Sequence, residues 1–191
     1  MKALREIIIT VLLALLIFGL LQVTIQAYTV RYSCMLPNIR DGEWIVVNKA
    51  AYFFGSPQRG EVIVFQSPNN PEDELIKRVI ALPGDSVEVK NGKVFVNGIA
   101  LVEPYVLEPP KYTYSREEVL PDNYFVLGDN RNNSLDSHYG WTVPRDNITG
   151  RAWFTYWPPS EWGLIKRYAS QIAESGWEAN VMVWEILCLM K

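Results

Sequence analysis

The sequence is poor in the residues that build metal and disulfide sites. Among its 191 residues there is one histidine, His138, and there are two cysteines, Cys34 and Cys188. A single histidine excludes a histidine-rich zinc site. Two cysteines are too few for a disulfide framework, and these two would pair only if the fold brought distant positions together. We therefore expect no metal site.

An excess of positive charge is also missing. The chain carries 18 lysines and arginines against 21 acidic residues, which gives a formal net charge of -3. Nucleic-acid binding favours a basic face, so this balance gives no reason to expect a nucleic-acid partner. The sequence also lacks a glycine-rich phosphate loop and a dinucleotide fingerprint, so we expect no cofactor.

One long apolar run stands near the start of the chain. No charged residue occurs from 7 to 28, and a helix of about 20 apolar residues spans the ~30 Å hydrocarbon core of a bilayer. Because Lys2 and Arg5 precede the run, the positive-inside rule places the N-terminus in the cytoplasm. The sequence thus predicts a cytoplasmic segment at 1–6, a transmembrane anchor at 7–28 and an extracytoplasmic remainder.

A cleaved signal peptide is the alternative interpretation of this run. Signal peptides normally have a shorter apolar region, of about 7–15 residues, followed by a small-x-small cleavage site. Here the run is longer, and Ile25 places a bulky side chain at the first small position of the Ile25-Gln26-Ala27 triplet. A permanent anchor is the favoured interpretation.

Strand patterns dominate the rest of the chain. Short β-branched and aromatic runs bounded by turn residues predict strands at 44–48, 61–65, 75–82, 86–90, 93–96, 123–127 and 150–157. The Asn91-Gly92 pair lies between two alternating runs and predicts a hairpin, since both central residues of a type I′ turn need positive φ. Many short strands predict a mainly β domain over 29–160.

Two stretches do not follow this pattern. Residues 103–122 are rich in Pro, Glu and Tyr, and we expect them to leave the sheet. The tail at 161–191 has apolar residues at mixed spacing, and its end, from 170 to 191, is compatible with a short helix lying on the membrane or on the domain. The sequence assigns this tail no role.

Three segments behind the apolar run carry a family resemblance. In chain order they are SCMLPNI at 33–39, KRVIALPGD at 77–85 and GDNRNNSLDS at 128–137. Their order and content resemble the signature segments of the type I signal peptidases, which are membrane-anchored peptidases with a serine–lysine dyad. The resemblance implies a mainly β fold of coiled antiparallel sheets behind one transmembrane helix.

The same resemblance implies roles for individual residues. Cys34 stands at the position of the family's serine nucleophile, directly before Met35 and three residues before Pro37. Lys77 stands at the position of the general base. In the third segment, supporting roles are implied for Ser134 and Asp136, which would orient the lysine and brace the site, and for Asp129 and Arg131, which would hold the loop.

The local pattern suits a lysine that acts as a base. Only a neutral amine accepts a proton, and burial among apolar side chains disfavours the charged ammonium form. Lys77 lies in an apolar run, and alternate side chains of a strand share a face, so Arg78 would point away from it. A solvated lysine on a polar strand face is the alternative.

Three positions depart from the family pattern. Cys34 replaces serine, His138 stands where arginine is usual, and Tyr32 stands where many members carry a serine whose hydroxyl helps to bind the oxyanion. The Cys34 amide would supply one oxyanion donor, which leaves the second unassigned. Ser33 is an alternative nucleophile, one residue out of register.

The resemblance implies an endopeptidase that cleaves N-terminal signal peptides from exported preproteins at the outer membrane surface. Its partners would be preprotein signal peptides and the lipid bilayer, with the secretion machinery as a further partner. Its location would be the plasma membrane or a thylakoid-like membrane. A catalytically impaired homologue that binds preproteins or a membrane partner is the alternative, and a self-cleaving regulator is disfavoured by the anchor. Four aromatics would form either a membrane-facing surface or ordinary core: Trp44, Tyr52, Phe53 and Phe54.

Overall fold

The structure is a computed structural model that describes residues 2–168 and the backbone of residues 171–172. Helix α1 spans Lys2–Thr24. The strands are β1 (Ile25–Thr29), β2 (Trp44–Asn48), β3 (Val62–Gln66), β4 (Glu74–Ala81), β5 (Ser86–Lys90), β6 (Lys93–Val96), β7 (Ile99–Val102), β8 (Tyr114–Glu118), β9 (Asn123–Leu127), β10 (Val143–Pro144), β11 (Ile148–Trp157), β12 (Gly163–Leu164) and β13 (Gln171–Ile172). Short 3₁₀ turns occur at Lys49–Tyr52, Ser137–Tyr139, Arg145–Asn147 and Pro159–Glu161.

Helix α1 is long and apolar enough to cross a membrane, judged by length and composition. None of its residues is buried against the rest of the chain. The helix ends at Thr24, before the end of the predicted 7–28 segment. It ends there because Ile25–Thr29 pairs with β2 in an antiparallel ladder. This tertiary pairing overrides an apolar pattern that would otherwise continue the helix.

The strands form two antiparallel sheets. The larger sheet has the order β1-β2-β11-β3-β4-β9-β10, with β12 also pairing with β11. The smaller sheet has the order β13-β7-β6-β5-β8. This mainly β architecture behind one apolar helix confirms the fold class predicted from the sequence. Strands β4 and β9 are antiparallel neighbours in the larger sheet, with Arg78 opposite Leu127, so the segment that follows β9 begins beside the middle of β4, next to Lys77.

Three apolar clusters stabilise the two sheets. One lies under the larger sheet and includes Cys34, Met35 and Ile76. The second joins strands of the smaller sheet to β4 and β9 of the larger one, and the third packs around Phe65 and Val126. Burying one large aliphatic or aromatic side chain contributes about 1.5–3 kcal/mol. The first cluster therefore fixes the segment that carries Cys34.

The predicted strands agree closely with the observed ones. Strands β2, β5, β6 and β9 have the predicted bounds. The other three predicted strands, which are β3, β4 and β11, differ from their predicted bounds by one or two residues. Asn91 and Gly92 have φ values of 50° and 71°, as a type I′ turn requires. The 103–122 stretch departs from expectation, because its residues 114–118 form β8 and pair with β5.

The aromatic residues divide between core and surface. Tyr52 is buried and donates a hydrogen bond to Glu61, so it belongs to the core. Phe53 and Phe54 are exposed and follow the 3₁₀ turn that contacts α1, and Trp44 is half-exposed. In the tail, β12 and β13 are the strands that the structure describes. The short helix considered for 170–191 and any pairing of Cys188 lie outside the described residues, apart from the β13 backbone.

Candidate active site

Cys34 and Lys77 meet although 43 positions separate them in sequence. Cys34 lies in the turn formed by residues 33–39, which follows β1, and Lys77 lies in the middle of β4. The Lys77 Nζ atom is 3.2 Å from the Cys34 Sγ atom, and it also donates to the Ile76 carbonyl at 2.9 Å. The 3.2 Å contact permits proton transfer between the thiol and the amine.

The two groups are buried at the base of an open cleft. The exposed fraction is 2% for Lys77 and 9% for Cys34. The cleft has a volume of about 720 Å³, which is enough for a short peptide segment. No carboxylate of the described residues bonds to the Lys77 amine. The alternative of a solvated strand lysine does not describe this site.

The loop formed by residues 128–137 holds the 33–39 turn in place. It begins at the end of β9, which pairs with β4. Asn130 uses its backbone N–H to donate to the Cys34 carbonyl at 3.0 Å, and its side chain donates to the Ser33 carbonyl at 3.1 Å. Asn133 donates from its side chain to the Ser33 hydroxyl at 2.9 Å. One of these hydrogen bonds holds Cys34 itself, and the other two hold Ser33, the residue directly before it.

Ser134 lines the same cleft, and its hydroxyl is buried. Within the described residues this hydroxyl has no hydrogen-bond partner, so the expected bond from Ser134 to Lys77 is not formed here. The hydroxyl lies beside Gly128, where an added Cβ would be 2.3 Å from it. The same Cβ would be 2.6 Å from the Cys34 carbonyl. Gly128 is therefore the residue at which the 128–137 loop approaches the 33–39 turn closely enough to exclude a Cβ atom.

Asp136 supports the loop and does not contact the lysine. One carboxylate oxygen accepts from the Gly128 backbone N–H at 2.9 Å, and the other lies 2.7 Å from the His138 ring Nδ1 atom. Asp136 is fully buried, and the His138 ring stacks on Tyr112 at 4.0 Å. Asp136 therefore fixes Gly128, while His138 fixes Asp136 at the position where the family usually has arginine.

Asp129 and Arg131 hold the loop, but they pair with residues of other segments. Asp129 accepts two hydrogen bonds from Arg78, at 2.8 and 2.7 Å, and both side chains are almost fully buried. Desolvation raises the pKa of Asp129, and the Arg78 guanidinium opposes that rise. Arg131 forms a bidentate pair with Glu103 at 2.9 and 2.6 Å. Burial by itself would lower the pKa of Arg131, but Glu103 raises it.

Met35 and Pro37 both belong to the 33–39 turn, and they differ in burial. Met35 is completely buried, and its carbonyl accepts from the backbone N–H groups of Asn38 and Ile39. Pro37 is exposed and follows a cis peptide bond. Neither residue bonds to the thiol, so both define the backbone path around Cys34.

Four residues of the site were not identified from the sequence. Asn130 and Asn133 bind the 33–39 turn, Glu103 pairs with Arg131, and Asn38 donates to the Asp129 carboxylate at 2.8 Å. Asn130 and Asn133 lie inside the third signature segment, so their position in the sequence could have identified them as candidate site residues. Glu103 lies in a stretch without a strand pattern, and its role becomes visible in the fold.

Comparison with known proteins gives a consistent set of relatives. The family model described as signal peptidase, peptidase S26, matches residues 3–157. Probable signal peptidase I-2 of Synechocystis is 40% identical over 174 residues, which cover 86% of this chain and 80% of that protein. Thylakoidal processing peptidase 1 of Arabidopsis thaliana is 42% identical over 139 residues, which cover 68% of this chain and 41% of that protein. A crystal structure of a signal peptidase I from Enterococcus faecalis is 32% identical, covers 50% of this chain and 96% of its own, and gives a TM-score of 0.46.

The match to the family spans most of the chain. Signal peptidase I of Leptolyngbya laminosa is a further relative, 41% identical over 172 residues that cover 86% of this chain and 83% of that protein. Relatives at this level of identity, covering most of both chains, share a family. This chain therefore belongs to the signal peptidase family, peptidase S26.

Proposed function

We propose that this chain is a membrane-anchored signal peptidase that hydrolyses preprotein signal peptides, with Cys34 as the nucleophile and Lys77 as its general base. One observation carries the proposal. The Lys77 amine is 3.2 Å from the Cys34 sulfur, and Lys77 is 2% exposed, at the base of an open cleft. A nucleophile and a base within hydrogen-bond reach are the minimum for covalent hydrolysis.

The first chemical step forms a thioester. The Lys77 amine takes the proton of the Cys34 thiol while the sulfur attacks the scissile carbonyl carbon, and the carbonyl π pair moves onto oxygen. The tetrahedral intermediate then collapses, the C–N bond breaks, and the Lys77 ammonium gives its proton to the leaving amine. The mature protein departs with a free N-terminus, and the signal peptide stays bound to sulfur.

The second step releases the signal peptide. Lys77 is neutral again and takes a proton from water as that water attacks the thioester carbonyl. The second tetrahedral intermediate collapses, the C–S bond breaks, and the ammonium returns its proton to the sulfur. The products are a peptide carboxylic acid and the restored thiol–amine pair, so Lys77 acts as base and acid in both steps.

Cysteine at position 34 lowers the demand on Lys77 as a base. A thiol is more acidic and intrinsically more nucleophilic than a hydroxyl, so it needs less help from the lysine. The surrounding contacts also suit the sulfur, because it lies against the apolar cluster that contains Met35 and Ile76. A thiol enzyme is therefore the version of the family chemistry that this site supports.

The proposed membrane arrangement is based on α1 and the charges before its apolar run. Lys2 and Arg5 favour a cytoplasmic N-terminus, and the 3₁₀ turn before Phe53 and Phe54 contacts the helix. The two phenylalanines are 57% and 103% exposed, and we propose that they lie in the outer bilayer surface. Replacing both by serine should slow cleavage of a preprotein in vesicles while leaving cleavage of a short soluble peptide unchanged. Leu120→Ser, which replaces an exposed leucine of another segment, is the control.

The test of the function compares Cys34→Ala, Cys34→Ser and Lys77→Met with the unmodified chain in detergent micelles. We expect the unmodified chain to cleave a preprotein at its signal peptide junction, and we expect Cys34→Ala and Lys77→Met to lose this activity. Treatment with a thiol-alkylating reagent should abolish cleavage by the unmodified chain, because it blocks Cys34. The same treatment should leave any cleavage by Cys34→Ser unaffected. Equal cleavage by the unmodified chain and Cys34→Ala would rule out Cys34 as nucleophile.

A further inference from the structure

A peptidase of this kind needs donors for the oxyanion that forms on the scissile carbonyl. The Cys34 backbone N–H donates to no atom in the part of the chain that the structure describes, so it is free to serve as one donor. Tyr32, two residues earlier, directs a 79% exposed side chain into solvent. The second donor must come from another group that lines the cleft.

Of the two serines that line the cleft, Ser33 and Ser134, Ser33 is the one whose hydroxyl oxygen is held by a hydrogen bond from a described residue. Its hydroxyl accepts a hydrogen bond from the Asn133 amide at 2.9 Å. A hydroxyl has one proton to donate, and no described residue accepts the proton of Ser33. Ser33 lines the cleft together with Cys34 and Lys77. Its proton is therefore uncommitted, while its oxygen is held in place.

The backbone on both sides of Ser33 is fixed. Its carbonyl accepts from the Asn130 side chain at 3.1 Å and from the Leu36 N–H at 3.3 Å. Before it, Tyr32 has φ of 73°, in the left-handed region that a non-glycine residue adopts at a free-energy cost. The Tyr32 N–H donates to the Asp41 carboxylate at 2.8 Å. A strained residue held in this way sets the direction in which the chain enters Ser33.

We propose that the Ser33 hydroxyl is the second oxyanion donor and that Asn133 orients it. This inference rests on the proposed function, because it concerns the intermediate formed when Cys34 attacks a carbonyl. In that intermediate the Ser33 hydroxyl and the Cys34 N–H donate to the oxyanion, and no proton is transferred from either. The Asn133 amide accounts for the orientation, since it donates to the Ser33 oxygen and leaves the hydroxyl proton for the substrate.

The test compares kcat and KM for Ser33→Ala, Ser33→Thr and Asn133→Asp. Loss of one oxyanion donor lowers kcat by about 10²–10³-fold, and we expect this loss for Ser33→Ala with KM unchanged. Ser33→Thr keeps a hydroxyl and should retain most of kcat. Asn133→Asp should lower kcat as much as Ser33→Ala, because its carboxylate accepts the Ser33 proton. Asn132→Asp is the matched control, since Asn132 bonds to 109 and 111 and not to Ser33.

Each result decides the inference. Ser33→Ala with the kcat of the unmodified chain, while the unmodified chain cleaves, would overturn the role of Ser33 and leave the proposed function intact. If Ser33→Ala fails to fold, the comparison of Asn133→Asp with Asn132→Asp decides the matter. Equal rates for these two variants would overturn the inference, and a loss confined to Asn133→Asp would support it. Absence of cleavage by the unmodified chain itself would instead refute the proposed function.

Discussion

Replacing Gly128 by alanine adds one methyl group at the closest contact of the site. The added Cβ would lie 2.3 Å from the Ser134 hydroxyl and 2.6 Å from the Cys34 carbonyl oxygen. The hydroxyl can rotate away, but the Ser134 Cβ, which would also be 2.6 Å away, and the Cys34 carbonyl move only with their backbone. An ordinary contact begins at 3.4 Å, so the residue carrying the nucleophile must shift by roughly 1 Å. Misplacement of that size costs about 10²-fold in rate.

We therefore expect Gly128→Ala to cleave a preprotein about 100-fold more slowly than the unmodified chain. Overpacking of this kind also lowers stability by about 1–3 kcal/mol, so the assay is run below the melting temperature of every variant. Initial rates of preprotein cleavage in micelles give the activity, and thermal unfolding followed by circular dichroism gives the stability.

Two other glycines separate the local effect from the global one. A Cβ at Gly150 would lie 2.6 Å from the Asn48 carbonyl, away from the cleft, so Gly150→Ala should lose stability and keep its cleavage rate. A Cβ at Gly163 meets nothing within 4 Å, so Gly163→Ala should change neither quantity. Cleavage by folded Gly128→Ala at the unmodified rate would refute the packing argument for the site.

Two further predictions concern buried charge. Asp129→Ala leaves the Arg78 guanidinium buried without its carboxylate partner and should lower the free energy of unfolding by about 3–5 kcal/mol. Lys111→Ala removes an exposed ion pair and should change the free energy of unfolding by about 1 kcal/mol or less. Urea unfolding in micelles measures both effects, and equal effects would contradict the stabilising role of the buried Arg78–Asp129 pair. Desolvation raises the pKa of Glu43 in the folded state, so its contribution to stability is present at low pH and is lost as pH rises through the folded pKa. Glu43→Gln keeps the acceptor for the Arg40 N–H and removes the buried negative charge, so this variant should melt at a higher temperature than the unmodified chain at pH 7. The difference in melting temperature should shrink towards pH 4. A difference that does not depend on pH would contradict this prediction.

The sequence predicted the strands whose side chains are buried, either almost throughout, as in β3 and β9, or at alternate positions. Strands β5 and β6 alternate buried and partly exposed residues around the Asn91-Gly92 turn, so local pattern and fold agree. Strand β8 could not be predicted in this way, because its side chains are exposed or half-exposed and its pairing with β5 depends on the backbone. The end of α1 was missed for a related reason, since only the pairing of β1 with β2 distinguishes it from more helix.

The site was predicted unevenly for physical reasons. The signature segments identified Cys34 and Lys77, and the fold places them in contact. The partners of Asp129 and Arg131 could not be derived, because Arg78 and Glu103 reach them through sheet pairing and loop packing across distant positions. Hydrogen bonds such as that from Asn133 to Ser33 depend on side-chain placement to within an ångström, which composition and spacing do not specify.

The central claim is that the sulfur of Cys34 forms a covalent bond to the substrate carbonyl. The most direct measurement is rapid acid quenching of the reaction with a preprotein, followed by intact-mass and peptide-mapping mass spectrometry. We expect a transient thioester that joins the signal peptide to Cys34, absent in Cys34→Ala and cleaved by hydroxylamine. Preprotein cleavage at full rate with the signal peptide attached to another residue, such as Ser33, would contradict the account.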